Sequence, residues 1–327
     1  MTNVSEIHEH LFHYTNEDGL YGILGSEALW ATHWRHLNDF TEITLLQDKL
    51  SELMLPHVRT QYEKLIRDNP AIIKKVQAEG GLEKVTEHDT KVLVDAQYSA
   101  TGEEIFIFSL CGTSDDLYVN NNGLLSQWRG YGEDGGYALV FDTATLEKQL
   151  AKEHRIIPYR YALVGDVVYS DDDERFNSEF SEDLSVLAGD VEKLFDHHKF
   201  RHQSEELILD GVYAFMNCIT RYKHRAFKEE NEVRIILLTM SSEERRAIGS
   251  SLHRREGVVK EVKTRNRNGV EIPYVDVLAD IEDQLPIKRI IVGPHKDKEK
   301  RAEDLRKKLK LEGRDIEVTC SDIPYIG

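Results

Sequence analysis

Apolar and polar positions change period several times along the 327-residue chain. His10–Tyr14 reads as a short strand, followed by a helix from about Asp18 to Leu24 with Asn16 placed to cap it. Ala28–Trp34 reads as extended, and Leu37–Glu42 as a turn rich in Asn and Asp. From Phe40 to about Arg67, Ile43, Leu46, Leu50, Leu53 and Leu55 fall near helical spacing among charges. Pro70–Tyr98 gives a second helical stretch, broken at Gly80-Gly81, with Pro70 in its first turn.

The middle of the chain is strand-like. Glu104–Leu110 and Gly136–Asp142 are apolar enough for buried strands, and Val164–Tyr169 is a further candidate. Between the first two, Thr113–Gly123 is polar and ends in NNNG, a turn signal. The acidic run after Tyr169 reads as an exposed loop, and about Leu184 to Arg225 as helical. Glu232–Thr239 and Lys288–Val292 read as strands, Asp297–Leu311 as a Lys/Glu-rich helix, and Ile316–Cys320 closes a βαβ-like unit. The pattern predicts one α+β domain over residues 1–327, with packed β-sheets and helical insertions near 40–103 and 184–225.

Composition narrows the class. The chain carries 42 Lys+Arg against 59 Asp+Glu, a net charge of −17, which argues against non-specific duplex binding. The charge is uneven, however. Residues 171–192 hold nine acids and one base, whereas 241–268 hold eight Lys/Arg against four Glu. Either run alone reads as solvated surface. Cys111, Cys218 and Cys320 are too scattered for a disulfide scaffold or a zinc site. The 14 histidines include His198 and His202 at helical spacing, but without the glutamate of HExxH, and no metal is expected. No signal peptide or membrane-length apolar run is visible, so a soluble, cytoplasmic protein is expected, with no membrane partner. Gly130, Gly132, Gly135 and Gly136 precede a strand, the wrong order for a dinucleotide phosphate turn.

Five local strings stand out: Leu11-Phe12-His13-Tyr14-Thr15 with Gly19-Leu20, Ile23-Leu24 and Ala28-Leu29-Trp30; Leu37-Asn38-Asp39-Phe40-Thr41-Glu42; Leu125–Gly132 (LSQWRGYG) running into GGYALVFD; Phe227–Arg234 (FKEENEVR); and Ile290-Ile291-Val292-Gly293-Pro294. In this order they resemble an uncharacterised bacterial and phage family, over most of the chain from about Leu11 onward. That family is distantly similar to the H-Y-E class of ADP-ribosyltransferases, whose opening has the same H-x-T strand, G-L-x-x-I-L helix and extended A-L-W. The resemblance implies an ADP-ribosyltransferase-like core and NAD as substrate. It also implies a macromolecular acceptor, nucleic acid slightly favoured over protein through the basic segment. A toxin or phage-defence role, with an antitoxin or regulator as partner, would fit. NAD glycohydrolysis, and a non-catalytic nucleotide-sensing or protein-interaction module, are the alternatives.

The resemblance also assigns roles. Cleaving the nicotinamide–ribose bond passes through an oxocarbenium-like state, which a desolvated carboxylate stabilises. Glu232, opening EVRIILLT, fits that catalytic place, and Glu230 is the runner-up. His13 would hydrogen-bond a ribose hydroxyl, with Tyr14 and Thr15 beside it. Gln127, Trp128 and Arg129 are a dense donor set, and Arg129 or Arg35 suits a pyrophosphate. Trp30, Trp34, Trp128 and Tyr131 compete to stack on the nicotinamide. Each has a plainer reading: a half-buried strand histidine for His13, a pair with Arg234 for Glu232, a core aromatic for Trp128 and a surface ion pair for Arg129. Asn38-Asp39 reads as a turn or cap, with Glu42 at capping-box spacing.

Overall fold

The structure is a computed structural model and describes residues 3–37, 41–100, 104–157, 159–196, 204–240, 259–267 and 269–324. In chain order its first elements are α1 (Val4–Ile7), β1 (His10–Thr15), α2 (Glu17–Ser26), β2 (Leu29–His33), α3 (Thr41–Asp68), α4 (Ile72–Ala78) and α5 (Leu82–Ala100). Next come β3 (Ile105–Cys111), α6 (Leu117–Asn122), α7 (Leu125–Tyr131), β4 (Tyr137–Asp142), α8 (Thr143–Ile156), β5 (Tyr161–Asp166) and β6 (Val168–Tyr169). Then follow α9 (Asp173–Glu179), α10 (Ser181–Asp196), α11 (Ser204–Ile219), β7 (Tyr222–Lys223) and β8 (Glu232–Leu238). The last are β9 (Lys263–Arg267), β10 (Val270–Val277), β11 (Ile287–Val292), α12 (Lys298–Leu311) and β12 (Glu317–Cys320).

Two compact units emerge, one made of Met1–Leu37, Glu104–Val167 and Lys228–Gly327, the other of Asn38–Glu103 and Val168–Phe227. The second unit comprises the two segments in which the sequence suggests helical insertions. It is built from α3, α4, α5, α9, α10 and α11, with β6 and β7 as a short parallel ribbon. Phe176, Phe180 and Phe215 are buried there, and Arg221 is buried beside Glu179 at 2.5 Å.

The first unit carries a ten-stranded mixed sheet, ordered β12-β11-β4-β1-β3-β2-β10-β9, with β8 and β5 added through β3. Two packed sheets are thus replaced by one sheet that branches. Alternation assigns its faces. Leu11, Leu139, Phe141, Ile290 and Val292 enter the main core, whereas Phe12, Tyr14, Ala138, Val140 and Ile291 turn to a smaller cluster around Trp128. β11 and β12 pair in parallel, as a βαβ unit closed by α12 requires.

Several local expectations change. The acidic run is not a loop: it forms α9 and the start of α10, with Asp172 accepting from Arg175 N at the first N-terminus. Asn120–Asn122 do not form a turn but close α6, which Asp116 caps. Gly123 then ends that helix at φ 78°, where a Cβ would strike the Trp128 ring. Pro70 lies just before α4 rather than in its first turn. Thr41 and Glu42 are helical, while Asn38, Asp39 and Phe40 fall outside the described residues. β9 and β10 form a hairpin that the sequence pattern does not suggest. Among the described residues, no helix is long and apolar enough to cross a membrane.

Candidate functional site

The branch point is the most unusual feature of the sheet. β8 covers one edge of β3 along its whole length, from Ile105↔Leu238 to Cys111↔Glu232. The opposite edge is shared. β1 pairs there only at Phe12↔Cys111, and β2 only at Thr32↔Ile107 and His33↔Phe106. Between these contacts the last residues of β1 and the first of β2 diverge like the prongs of a fork. The β3 edge around Phe108–Leu110 has neither prong as a ladder partner.

His13 sits in the crotch of this fork. Its Nδ1 lies 3.1 Å from the Ser109 carbonyl, and its ring stacks on Phe108 at 4.4 Å between centroids. A carbonyl only accepts, so Nδ1 carries the proton and Nε2 is left as an acceptor. Burial, offset in part by the Ser109 bond and reinforced by the Arg265 charge, lowers the His13 pKa to about 4. The imidazole is therefore neutral at physiological pH.

This has a consequence for stability. The unfolded histidine takes up its proton near 6.5 and the folded one near 4. Between those values the unfolded chain binds more protons, so stability falls as pH drops through that window, with a slope of at most one proton. His13→Asn keeps an amide donor for Ser109 and should flatten this limb. Urea midpoints of both proteins between pH 7 and 4 check it, and identical slopes would reject the burial of a neutral His13.

The β2 prong brings a second group of side chains. Trp30 packs its ring against Gly22 of α2, where a Cβ would fall 2.2 Å from the indole. Across the sheet, Tyr274 stands opposite Thr32, and its ring lies 5.7 Å from Trp30. Arg265, from β9, lies over both rings at 5.5 and 5.6 Å and donates to Thr32 Oγ1 at 2.9 Å. Of the four aromatic candidates, only Trp30 lies on a prong. Trp34 is in the turn after β2, whereas Trp128 and Tyr131 are in α7.

Glu232 opens β8, so β3 alone separates its strand from β1. Phe12, Cys111 and Glu232 stand level, which sets Glu232 about 10 Å from the β1 strand, two strand spacings, and on the sheet face opposite to His13. The carboxylate is 5% exposed and is gripped by Arg234, with Nε–Oε1 at 2.8 Å and Nη2–Oε2 at 3.0 Å. The pair with Arg234 is thus formed, and it is bidentate. β8 does not extend back to Glu230, which ends a 3-10 turn before Asn231 at φ 45°. The two glutamates do not share a strand face.

The other proposed cofactor residues are dispersed. Tyr14 is buried, and its hydroxyl accepts from Leu124 N at 2.9 Å. Thr15 lies on β1, with its hydroxyl against Gly19 of α2. Trp128 is 1% exposed and donates its indole N–H to the Asn122 carbonyl, which makes it a core aromatic. Gln127 is buried beside the Cys111 thiol at 3.5 Å. Arg129 is exposed on α7, and Arg35 is exposed after β2 with its guanidinium over Trp34. The geometry gathers His13 at the fork and places Tyr14 and Trp128 in the packing behind it. Arg265 was missed: its strand, KTRNR, has no apolar face to announce it.

An α+β chain with a branched mixed sheet and a neutral histidine at the branch is what the fold and site define. The family model described as "Protein of unknown function (DUF2971)" matches residues 127–235, a span that holds Gln127, Trp128, Arg129, Glu232 and Arg234. No curated protein and no solved structure matches the chain. None of these comparisons links it to ADP-ribosyltransferases.

Proposed function

We propose that this chain cleaves NAD at the nicotinamide–ribose bond and transfers ADP-ribose to a macromolecule, on an ADP-ribosyltransferase-like core. The observation that carries the reading is the Glu232 carboxylate, buried at the opening of β8 and gripped by Arg234. Register sets it level with Cys111 and Phe12, on the sheet face that Tyr14 and Trp128 share. In this reading the ribose lies on that face, and His13, bonded to Ser109 and stacked on Phe108 on the other, positions β1 rather than the sugar. The Glu232 carboxylate, held by Arg234, stabilises the positive charge that develops as nicotinamide leaves. The sugar carbon then bonds to a nucleophilic oxygen or nitrogen of the acceptor, whose proton is released. Trp30 takes the stacking place.

A nucleic-acid acceptor would be met by the basic segment, of which Arg245, Arg246, Arg254 and Arg255 fall outside the described residues. Lys260 is buried and held by Glu153 and Asp280, and Lys263 is paired with Asp276. A toxin or phage-defence role and an antitoxin partner stay within this proposal as its widest extension.

Incubation with adenylate-labelled NAD plus cellular RNA, DNA and protein tests it. Free nicotinamide with label on a polymer is the expected result. Nicotinamide with free ADP-ribose would point to glycohydrolysis, and neither product would point to a non-catalytic module.

A further inference from the structure

The chain has 59 carboxylate side chains against 42 Lys and Arg, so most of its cations find an acid nearby. Arg265 does not. Among the described residues it has no carboxylate partner: its neighbours are the Thr32 hydroxyl and the rings of Trp30 and Tyr274. Burial, and after it the like charge of Arg267, lower its pKa, offset in part by Tyr274. Two donors at this place are also shielded from water and have no hydrogen-bond partner, Arg265 Nε and Trp30 Nε1. Each unpaired donor costs free energy that an acceptor would return. The Arg265 charge bears in turn on His13 in the fork.

A half-buried guanidinium with no counter-charge among the described residues, flanked by a second unpaired N–H donor, is a receptor for an oxyanion. In an acidic protein it is also a selective one, because the surrounding field repels anions that are not held by directed bonds. The planar fork of arginine offers paired donors to the oxygens of one phosphoryl group, and the indole N–H adds another. Aromatic rings beside it would take a flat group attached to that phosphate.

We propose that Arg265 and Trp30 form an anion site on the β2 prong that holds a phosphoryl group of a small phosphate-bearing ligand. The site does not require that ligand to be NAD, and it replaces Arg35 and Arg129 as the phosphate-holding position.

The test titrates inorganic pyrophosphate at constant ionic strength into the wild-type protein, Arg265→Gln, Arg265→Lys and Trp30→Phe, reading melting temperature and tryptophan fluorescence. The wild type should show saturable stabilisation, with acetate at equal ionic strength giving none. Arg265→Gln should weaken the response roughly tenfold or more, the scale of a lost charge-assisted bond. Arg265→Lys should fall between the two. Trp30→Phe keeps a ring without the donor and should bind several-fold more weakly, which serves as the test if Arg265→Gln does not fold. No saturable wild-type response, or equal responses in wild type and Arg265→Gln, would overturn the site. A lowered melting temperature in Arg265→Gln with an unchanged pyrophosphate response would do the same. Failure of NAD cleavage with pyrophosphate binding intact would count against the proposed activity alone.

Discussion

Glu232→Gln is expected to lose roughly 10²-fold or more in the rate of NAD cleavage, the scale of one preorganised transition-state contact. The same variant is expected to lose stability. Glu232 and Arg234 are both buried and joined by two hydrogen bonds, so removing the carboxylate charge leaves a guanidinium inside with half of its grip. Breaking a buried pair from one side costs about 3–5 kcal/mol, and the retained amide oxygen puts this case at the low end. The rate and stability effects separate in a double variant. Glu232→Gln with Arg234→Met should recover stability without recovering rate. Glu230→Gln should change the rate little, because that residue lies in the turn before the strand. If Glu232→Gln melts lower but cleaves NAD at the wild-type rate per folded molecule, Glu232 is a structural ion pair and nothing more.

The second large effect lies at the far end of the core. Glu153 is 0% exposed, and its carboxylate accepts from Lys260 Nζ at 2.6 Å, Leu278 N at 2.8 Å and Tyr159 Oη at 3.1 Å. Burial raises its pKa, and Lys260 is the largest influence holding it down. Lys260→Met should therefore cost about 3–5 kcal/mol near pH 8, since the charge it leaves is buried without its cation. The pH dependence has a definite sign. A carboxyl whose folded pKa is raised binds more protons folded than unfolded, so its penalty shrinks as pH falls toward that pKa. The deficit at pH 5 should be smaller than at pH 8. Pairing Lys260→Met with Glu153→Leu should return most of the loss. Denaturant midpoints at the two pH values decide the matter, and a deficit independent of pH would show that Glu153 is not the group left exposed.

Much of the sheet was legible because its strands are written in apolar runs. Glu232–Leu238 is buried at every position, and alternation in β1 already separates Leu11 from Phe12 and Tyr14. The fork was not legible. It depends on two strands sharing one edge of a third that lies far along the chain, as the pairs Phe12↔Cys111 and His33↔Phe106 show, and no local pattern encodes such a pairing. The hairpin carrying Arg265 was missed for a different reason: Lys263–Arg267 is an exposed strand whose composition resembles a solvated basic tail. The acidic helices were misread although a signal was present. Phe176 and Phe180 stand four apart, both fully buried with rings 4.9 Å apart, and that spacing outweighs the four consecutive acids before them. Trp128 shows the opposite error. A dense donor motif drew attention to it, while Gly123 and Gly293, which leave no room for a Cβ beside its ring, point to packing.

The most direct test of the central claim is nicotinamide release from NAD at pH 7 by the wild-type protein and by the Glu232→Gln/Arg234→Met double variant, in the presence of mixed cellular polymers. The double variant removes both members of the buried charge pair together, so β8 stays packed while the carboxylate is lost. The account predicts release by the wild type and a loss of roughly 10²-fold or more in the double variant, with little change in melting temperature. No release by the wild type, or equal rates in the two proteins, would contradict it.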